Sequence, residues 1–203
     1  MDISKKIFGK KLAGESPVSS DKFYIISGSH GKPVVTKQLT NFFDNRENSE
    51  GFLYTGYPLI GSVGGANAVD AMLISKRHGI IVFDIVESSD LGDYKARHDD
   101  IYVKLQSYLL LYKKLIEKRK LAVEISIVTV APRCSANSLD DEYPVTNDIS
   151  LIEKILDSTK WENNKLYAQL NSVIQNITSI RSSKFKRNLH NAESRGSRLK
   201  ELE

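Results

Sequence analysis

Apolar positions along the chain switch between a period of two and a period near 3.6, and each switch marks an element. Phe23-Tyr24-Ile25-Ile26 reads as a short strand that stops at the turn-rich Ser27-Gly28-Ser29-His30-Gly31. From Thr36 to Arg46, Leu39, Phe42 and Phe43 fall at i, i+3 and i+4, which predicts an amphipathic helix. Gly51 to Ile60 is strand-like, and the glycines of Gly61-Ser62-Val63-Gly64-Gly65 predict a turn. Ala68–Ser75 and Gly79–Glu87 predict the two strands of a hairpin joined by Lys76-Arg77-His78-Gly79, with Gly79 at positive φ. Between Asp99 and Arg119 the residues Ile101, Leu105, Tyr108, Leu109, Tyr112, Leu115 and Ile116 share one helical face, which predicts a long helix. Leu121 to Ala131 returns to β character and ends at Pro132, and a polar loop follows to Pro144. Asn147 or Asp148 caps a helix to about Leu156. Asn163 or Asn164 opens another helix, with Tyr167, Leu170, Ile174 and Ile177 on one face.

This order predicts an α/β protein with a mixed central sheet flanked by helices. Four regions follow from it: an N-terminal arm and short strand over 1–35, an α/β core over 36–146, C-terminal helices over 147–181, and a tail over 182–203. Composition narrows the class. The chain of 203 residues is 40% hydrophobic and 27% charged, which supports one ordinary core and argues against wholesale disorder. No apolar run approaches the roughly 18 residues of a membrane span, and no signal-peptide segment follows the N-terminal lysines. The single cysteine, Cys134, leaves no internal disulfide and no Cys-based zinc site, and suits the cytoplasm. The net charge of +4 is concentrated at one end. From Arg181 to Glu203 seven basic residues face three acidic ones, an excess equal to that of the whole chain. A polycation of this kind is a solvated linker or a phosphate-binding tail, and Lys184, Lys186, Arg187, Arg195, Arg198 and Lys200 are its candidate nucleic-acid contacts.

The chemistry-bearing stretch is the predicted hairpin. Asp70 opens its first strand and Asp84 lies late on its second, so antiparallel pairing brings both to one end. Two carboxylates converging there could hold one Mg²⁺ or Mn²⁺ through oxygen ligands, although aspartates at strand ends also serve as turn formers. Asp84 interrupts Ile80-Ile81-Val82-Phe83 and Ile85-Val86, a run that otherwise reads as buried on both faces. A buried carboxylate needs a cation, a hydrogen-bond network or an open cleft beside it. Other motifs are missing: Gly61-Ser62-Val63-Gly64-Gly65 lacks the Gly-Lys-Ser/Thr end of a phosphate loop, and there is no HExxH or GxSxG. His30, His78, His98 and His190 are scattered along the chain.

The helix–β–β–β–helix–β order with these two aspartates resembles the PD-(D/E)XK nuclease superfamily. Within it, the stretch from Asn67 to Ser88 is similar to the nuclease-related (NERD-like) domain at the N-terminus of bacterial superfamily I (UvrD-like) DNA helicases, and Lys186 to Glu203 resembles the linker into the motor. The resemblance, over residues 35 to 203, implies a restriction-endonuclease-like αβββαβ core, DNA as the partner and a helicase motor in cis. It implies Asp70 and Asp84 as catalytic ligands of Mg²⁺ or Mn²⁺, and Gln106 on the following helix as a residue bordering the site. The third motif position, a lysine in active members, falls on Val86. Valine cannot stabilise charge developing on phosphate, so the expectation is a catalytically degenerate domain that binds DNA or a partner. Two alternatives stand beside it: an active Mg²⁺/Mn²⁺-dependent endonuclease with its lysine supplied by the following helix, and an unrelated α/β interaction module. If Val86 faces a hydrated acidic site, Val86→Lys returns the missing cation.

Overall fold

The computed structural model describes residues 23–28, 31–46, 50–62, 65–139 and 141–175. Six strands form one mixed sheet in the order β1-β2-β3-β4-β7-β8. They are β1 (Phe23–Ser27), β2 (Gly51–Ser62), β3 (Gly65–Ser75), β4 (Gly79–Ile85), β7 (Ile125–Val130) and β8 (Val145–Thr146). A two-stranded ribbon of β5 (Ile116–Glu117) and β6 (Lys120–Leu121) stands apart. β2, β3 and β4 meander antiparallel, whereas β1 on β2, β7 on β4 and β8 on β7 are parallel. With α1 (Pro33–Asp44) before β2 and α2 (Tyr94–Leu109) between β4 and β7, the expected α–β–β–β–α–β order is present. β1 extends that sheet, so the segment before α1 is a structural part of the core.

Alternation along the central strands builds two apolar layers. One face carries Met72, Ile74, Ile80, Val82 and Ile127, covered by Leu105 and Leu109 of α2, by Trp161, and by Leu170 and Ile174 of the helical segment 167–175. The other carries Leu53, Leu73, Ile81, Phe83 and Val128, covered by Leu39 and Phe43 of α1 and by Ile152 and Leu156 of α3 (Ile152–Ser158). Every residue of β4 is buried, as a strand clothed on both faces requires. Phe43 pins α1 to the sheet, edge-on to Phe23 at 5.1 Å and tilted against Phe83 at 5.8 Å. Pro33 at the first helical turn fixes φ where α1 begins. Asp148 accepts from the Ser150 amide and starts the turn that leads into α3. Ile177 lies outside the described residues.

The second helix departs from expectation at both ends. It begins at Tyr94, because Asp93 accepts from the Ala96 amide and caps it. It stops at Leu109 instead of running to Arg119. A 3₁₀ turn, Lys113–Leu115, drops Leu115 into the core, and Lys118 and Arg119 turn the ribbon with φ of 49° and 67°. The apolar periodicity continues through this break because Leu115 reaches the same layer by another route. Tyr112, on the same stripe, packs against that layer as well, whereas Leu111, off the stripe, is 73% exposed. No helix among the described residues is long and apolar enough to cross a membrane.

Candidate functional site

β3 and β4 pair from Ser75↔Gly79 to Ala71↔Phe83, and Asp70 and Asp84 are the residues one step further along the two strands. Alternation places both on the face of Met72 and Val82, the α2 side of the sheet. Beyond that step β3 continues with β2 alone, so β4 loses its partner on this edge. Ile85, the next residue of β4, therefore has an amide and a carbonyl with no strand to meet. Charged side chains take that role. Asp70 Oδ2 accepts from the Ile85 amide at 2.9 Å, and the Lys32 ammonium donates to the Ile85 carbonyl. Lys32 Nζ also lies 2.7 Å from Asp70 Oδ2, which closes a three-membered set of contacts.

Lys32 reaches this point from the start of α1, whose position is fixed by its own capping. The Lys32 carbonyl accepts from the Thr36 amide at 3.3 Å and from Thr36 Oγ1 at 2.7 Å. Glu87 Oε1 accepts from the Val35 amide at 3.0 Å, so an acidic group two residues past β4 satisfies a free N–H at the helix N-terminus. Burial holds the Asp70 carboxyl above the ordinary carboxylate range. The Lys32 and Ile85 hydrogen bonds and the Lys32 charge pull it back down, while the charge of Asp84 adds to the upward push.

Asp84 is satisfied from the other side. It is 5% exposed, and the Arg97 guanidinium grips it with Nε at 3.2 Å and Nη2 at 3.0 Å from Oδ2. Arg97 lies on the first turn of α2 and also donates to the Leu91 carbonyl at 3.0 Å. Thr129, in register with Asp84 on β7, donates Oγ1–H to Oδ2 at 3.0 Å. His98 Nε2 stands 2.8 Å from that same hydroxyl. Because the hydroxyl hydrogen is committed to Asp84, Nε2–H of His98 is the donor and Thr129 the acceptor. Burial lowers the His98 pKa, with Arg97 adding to the effect and Asp84 and Asp99 opposing it.

The fold thus unites Asp70 and Asp84 and adds two cations that sequence reasoning did not place, Lys32 and Arg97. The following helix supplies an arginine, and the lysine comes from the preceding helix. Gln106 lies nine residues, or about 13 Å of helix, beyond Arg97, and its amide donates to the Tyr102 hydroxyl at 3.2 Å. Val86 is 8% exposed and packs with Ala131 and Cys134 against Leu91. That position is apolar, so the expectation of a hydrated place for a lysine at 86 is corrected: Val86→Lys would bury an ammonium among aliphatic carbons. Lys184, Lys186, Arg187, Arg195, Arg198 and Lys200 lie outside the described residues.

A Mg²⁺ or Mn²⁺ ion on the two aspartates fits these surroundings poorly. Two carboxylates are balanced by one ammonium and one guanidinium, and the Asp70 and Ile85 oxygens that an ion would use already accept from Lys32. Among the described residues no three His, Cys, Asp or Glu side chains converge as a ligand cluster. No family model, curated protein or solved structure matches the chain.

Proposed function

We propose that this chain is a nuclease-like domain of the PD-(D/E)XK kind that binds DNA without cutting it. One observation carries the reading: Asp70 and Asp84 occupy neighbouring places on one sheet face, where divalent-ion ligands would stand, yet each is neutralised by a side chain of the protein, Lys32 or Arg97. Such a pair offers no net negative charge to draw in an ion. Without the ion neither a water nor a phosphate is activated. The α–β–β–β–α–β order and valine at position 86 support the same reading. The basic stretch after Arg181 supplies the charge for phosphate, with a helicase motor as the partner the resemblance suggests.

The endonuclease reading has one observation in its favour. An ammonium 2.7 Å from Asp70 is the kind of cation that position 86 lacks. Anisotropy of labelled duplex and single-stranded DNA, with product gels in Mg²⁺ and Mn²⁺, separates the two. The binding domain shifts anisotropy and leaves the DNA whole, and a chain ending at Ser182 binds more weakly with a flatter salt dependence, because fewer counterions are released. Metal-dependent cleavage lost in both Asp84→Asn and Lys32→Ala would overturn the degenerate reading. Absence of any DNA binding would overturn DNA as the partner.

A further inference from the structure

We infer that Lys32 is the resident of a cation site, and that its removal turns the Asp70 carboxylate and the Ile85 carbonyl into a site for a divalent ion of the Mn²⁺ class. The inference deepens the nuclease-like reading and rests on it for the kind of ion expected; the contacts themselves do not depend on it.

The atoms that meet at Lys32 Nζ are a carboxylate oxygen, Asp70 Oδ2, and a main-chain carbonyl oxygen, that of Ile85. Both are hard donors of the type that Mg²⁺ and Mn²⁺ select. They converge because β3 leaves β4 at this level, which exposes one edge of Ile85 and turns Asp70 into it. A compact point charge fits between them, and lysine carries one on a flexible stem. An arginine fork in the same place would spread its charge over a plane, as Arg97 does on Asp84.

The ammonium is delivered by a fixed backbone. Pro33, the two Thr36 bonds to the Lys32 carbonyl, and the Glu87 cap on Val35 hold the start of α1 against the end of β4. Lys32 is therefore tethered beside the oxygens whether or not it touches them, and its effective concentration there is high. The pair is also open to exchange: the Lys32 side chain is 37% exposed and that of Asp70 20%. An ion entering the wild-type protein must displace this tethered charge and join a cluster that is already neutral. Without Lys32 the same cluster carries one net negative charge, and the Ile85 carbonyl lacks a partner.

Calorimetric titration of MnCl₂ into the full chain tests this with four proteins: wild type, Lys32→Met, Lys32→Arg, and Lys32→Met combined with Asp70→Asn. Lys32→Met keeps the apolar stem and is expected to bind Mn²⁺ at least tenfold more tightly than wild type. Lys32→Arg retains the charge and is expected to show no gain, and the double variant is expected to lose the gain. Equal Mn²⁺ affinity in wild type and Lys32→Met would overturn the inference, as would a gain that survives Asp70→Asn. If Lys32→Met fails to fold, Lys32→Gln, neutral but able to donate to the Ile85 carbonyl, takes its place with the same expectation. Metal-free anisotropy on labelled DNA with the same proteins separates the two ideas. DNA binding without a Mn²⁺ gain sinks the inference alone, whereas a Mn²⁺ gain without DNA binding sinks the DNA-binding reading and leaves the cation site standing.

Discussion

The two ends of the β3–β4 hairpin satisfy their backbone by opposite means. At the turn end, main chain and neutral groups meet main chain. Ile80 donates to the Glu124 carbonyl at 2.9 Å, Trp161 donates its amide to the Arg77 carbonyl at 2.9 Å, and His78 Nδ1 lies 2.7 Å from the Thr159 carbonyl. At the open end charged side chains do this work: Asp70 and Lys32 serve Ile85, and Asp84 is held by Arg97 and Thr129. A contact between main-chain groups cannot be exchanged without unfolding. A contact made by a tethered side chain can be replaced by an ion, a phosphate or a substitution, and this is what makes the open end the candidate site.

The turn end should show the largest response to a single substitution. Gly79 has φ of +73°, and a Cβ there would lie 2.7 Å from the Glu124 carbonyl oxygen. Gly79→Ala therefore combines a left-handed backbone penalty with a collision against main chain that has no rotamer to adopt. A loss of about 3 kcal/mol in urea unfolding is expected. A loss below about 1 kcal/mol would mean that the turn yields easily and that the two ends do not differ in rigidity.

Much of the turn end was legible in the sequence, because glycine after a polar triplet between apolar runs has few other uses. The mixed sheet, the buried β4 and the place of Asp70 and Asp84 at one end of the hairpin were legible for the same reason, since alternation fixes which residues share a face, whereas the short sixth strand, Val145–Thr146, was not. The partners were not. Lys32 lies 38 residues before Asp70, and nothing in a lysine beside Pro33 says which carboxylate it will meet. Arg97 became placeable only once Asp93 had started α2 a turn and a half earlier than the apolar stripe suggests. The early end of α2 was hidden as well, since Lys118 and Arg119 take positive φ with no glycine to signal it.

At the open end the effect of a substitution should depend on which partner is removed. Arg97→Met leaves the Asp84 carboxylate buried with Thr129 as its remaining donor, and should cost about 2 kcal/mol, reduced from the full penalty because Arg97 is partly exposed. Asp84→Asn frees a guanidinium that turns to water and keeps an oxygen for Thr129, so it should cost about 1 kcal/mol. The double variant should recover most of the Arg97→Met loss. Equal costs for the two single variants would show that the pair is a surface ion pair in energetic terms and that the open end is not organised around a buried charge.

The smallest effect is a pH dependence shared by both ends, since each buries one histidine: His78 at the turn and His98 beside Thr129. Burial lowers both pKa values; Arg77 and Arg46 add to this at His78, and Arg97 adds to it at His98. In the unfolded chain both titrate near 6.5. Above that value folded and unfolded states are alike neutral and the histidines contribute no slope. As pH falls below about 6.5 the unfolded chain takes up protons that the folded chain refuses, so stability falls and continues to fall until the lowered folded values are reached. Asp70 acts in the opposite sense at lower pH, because a carboxyl raised by burial binds its proton more readily when folded. The readout is therefore the difference between wild type and each variant at every pH from 8 to 5. His78→Asn, which keeps a donor for the Thr159 carbonyl, and His98→Gln, which keeps one for Thr129, should each remove part of the acid loss. If His78→Asn flattens the profile and His98→Gln leaves it unchanged, then Asp84 and Asp99 offset the burial, and His98 takes up its proton on acidification in the folded protein as it does in the unfolded chain. The open end would then carry one more positive charge than the balance of Lys32 and Arg97 against the two aspartates allows.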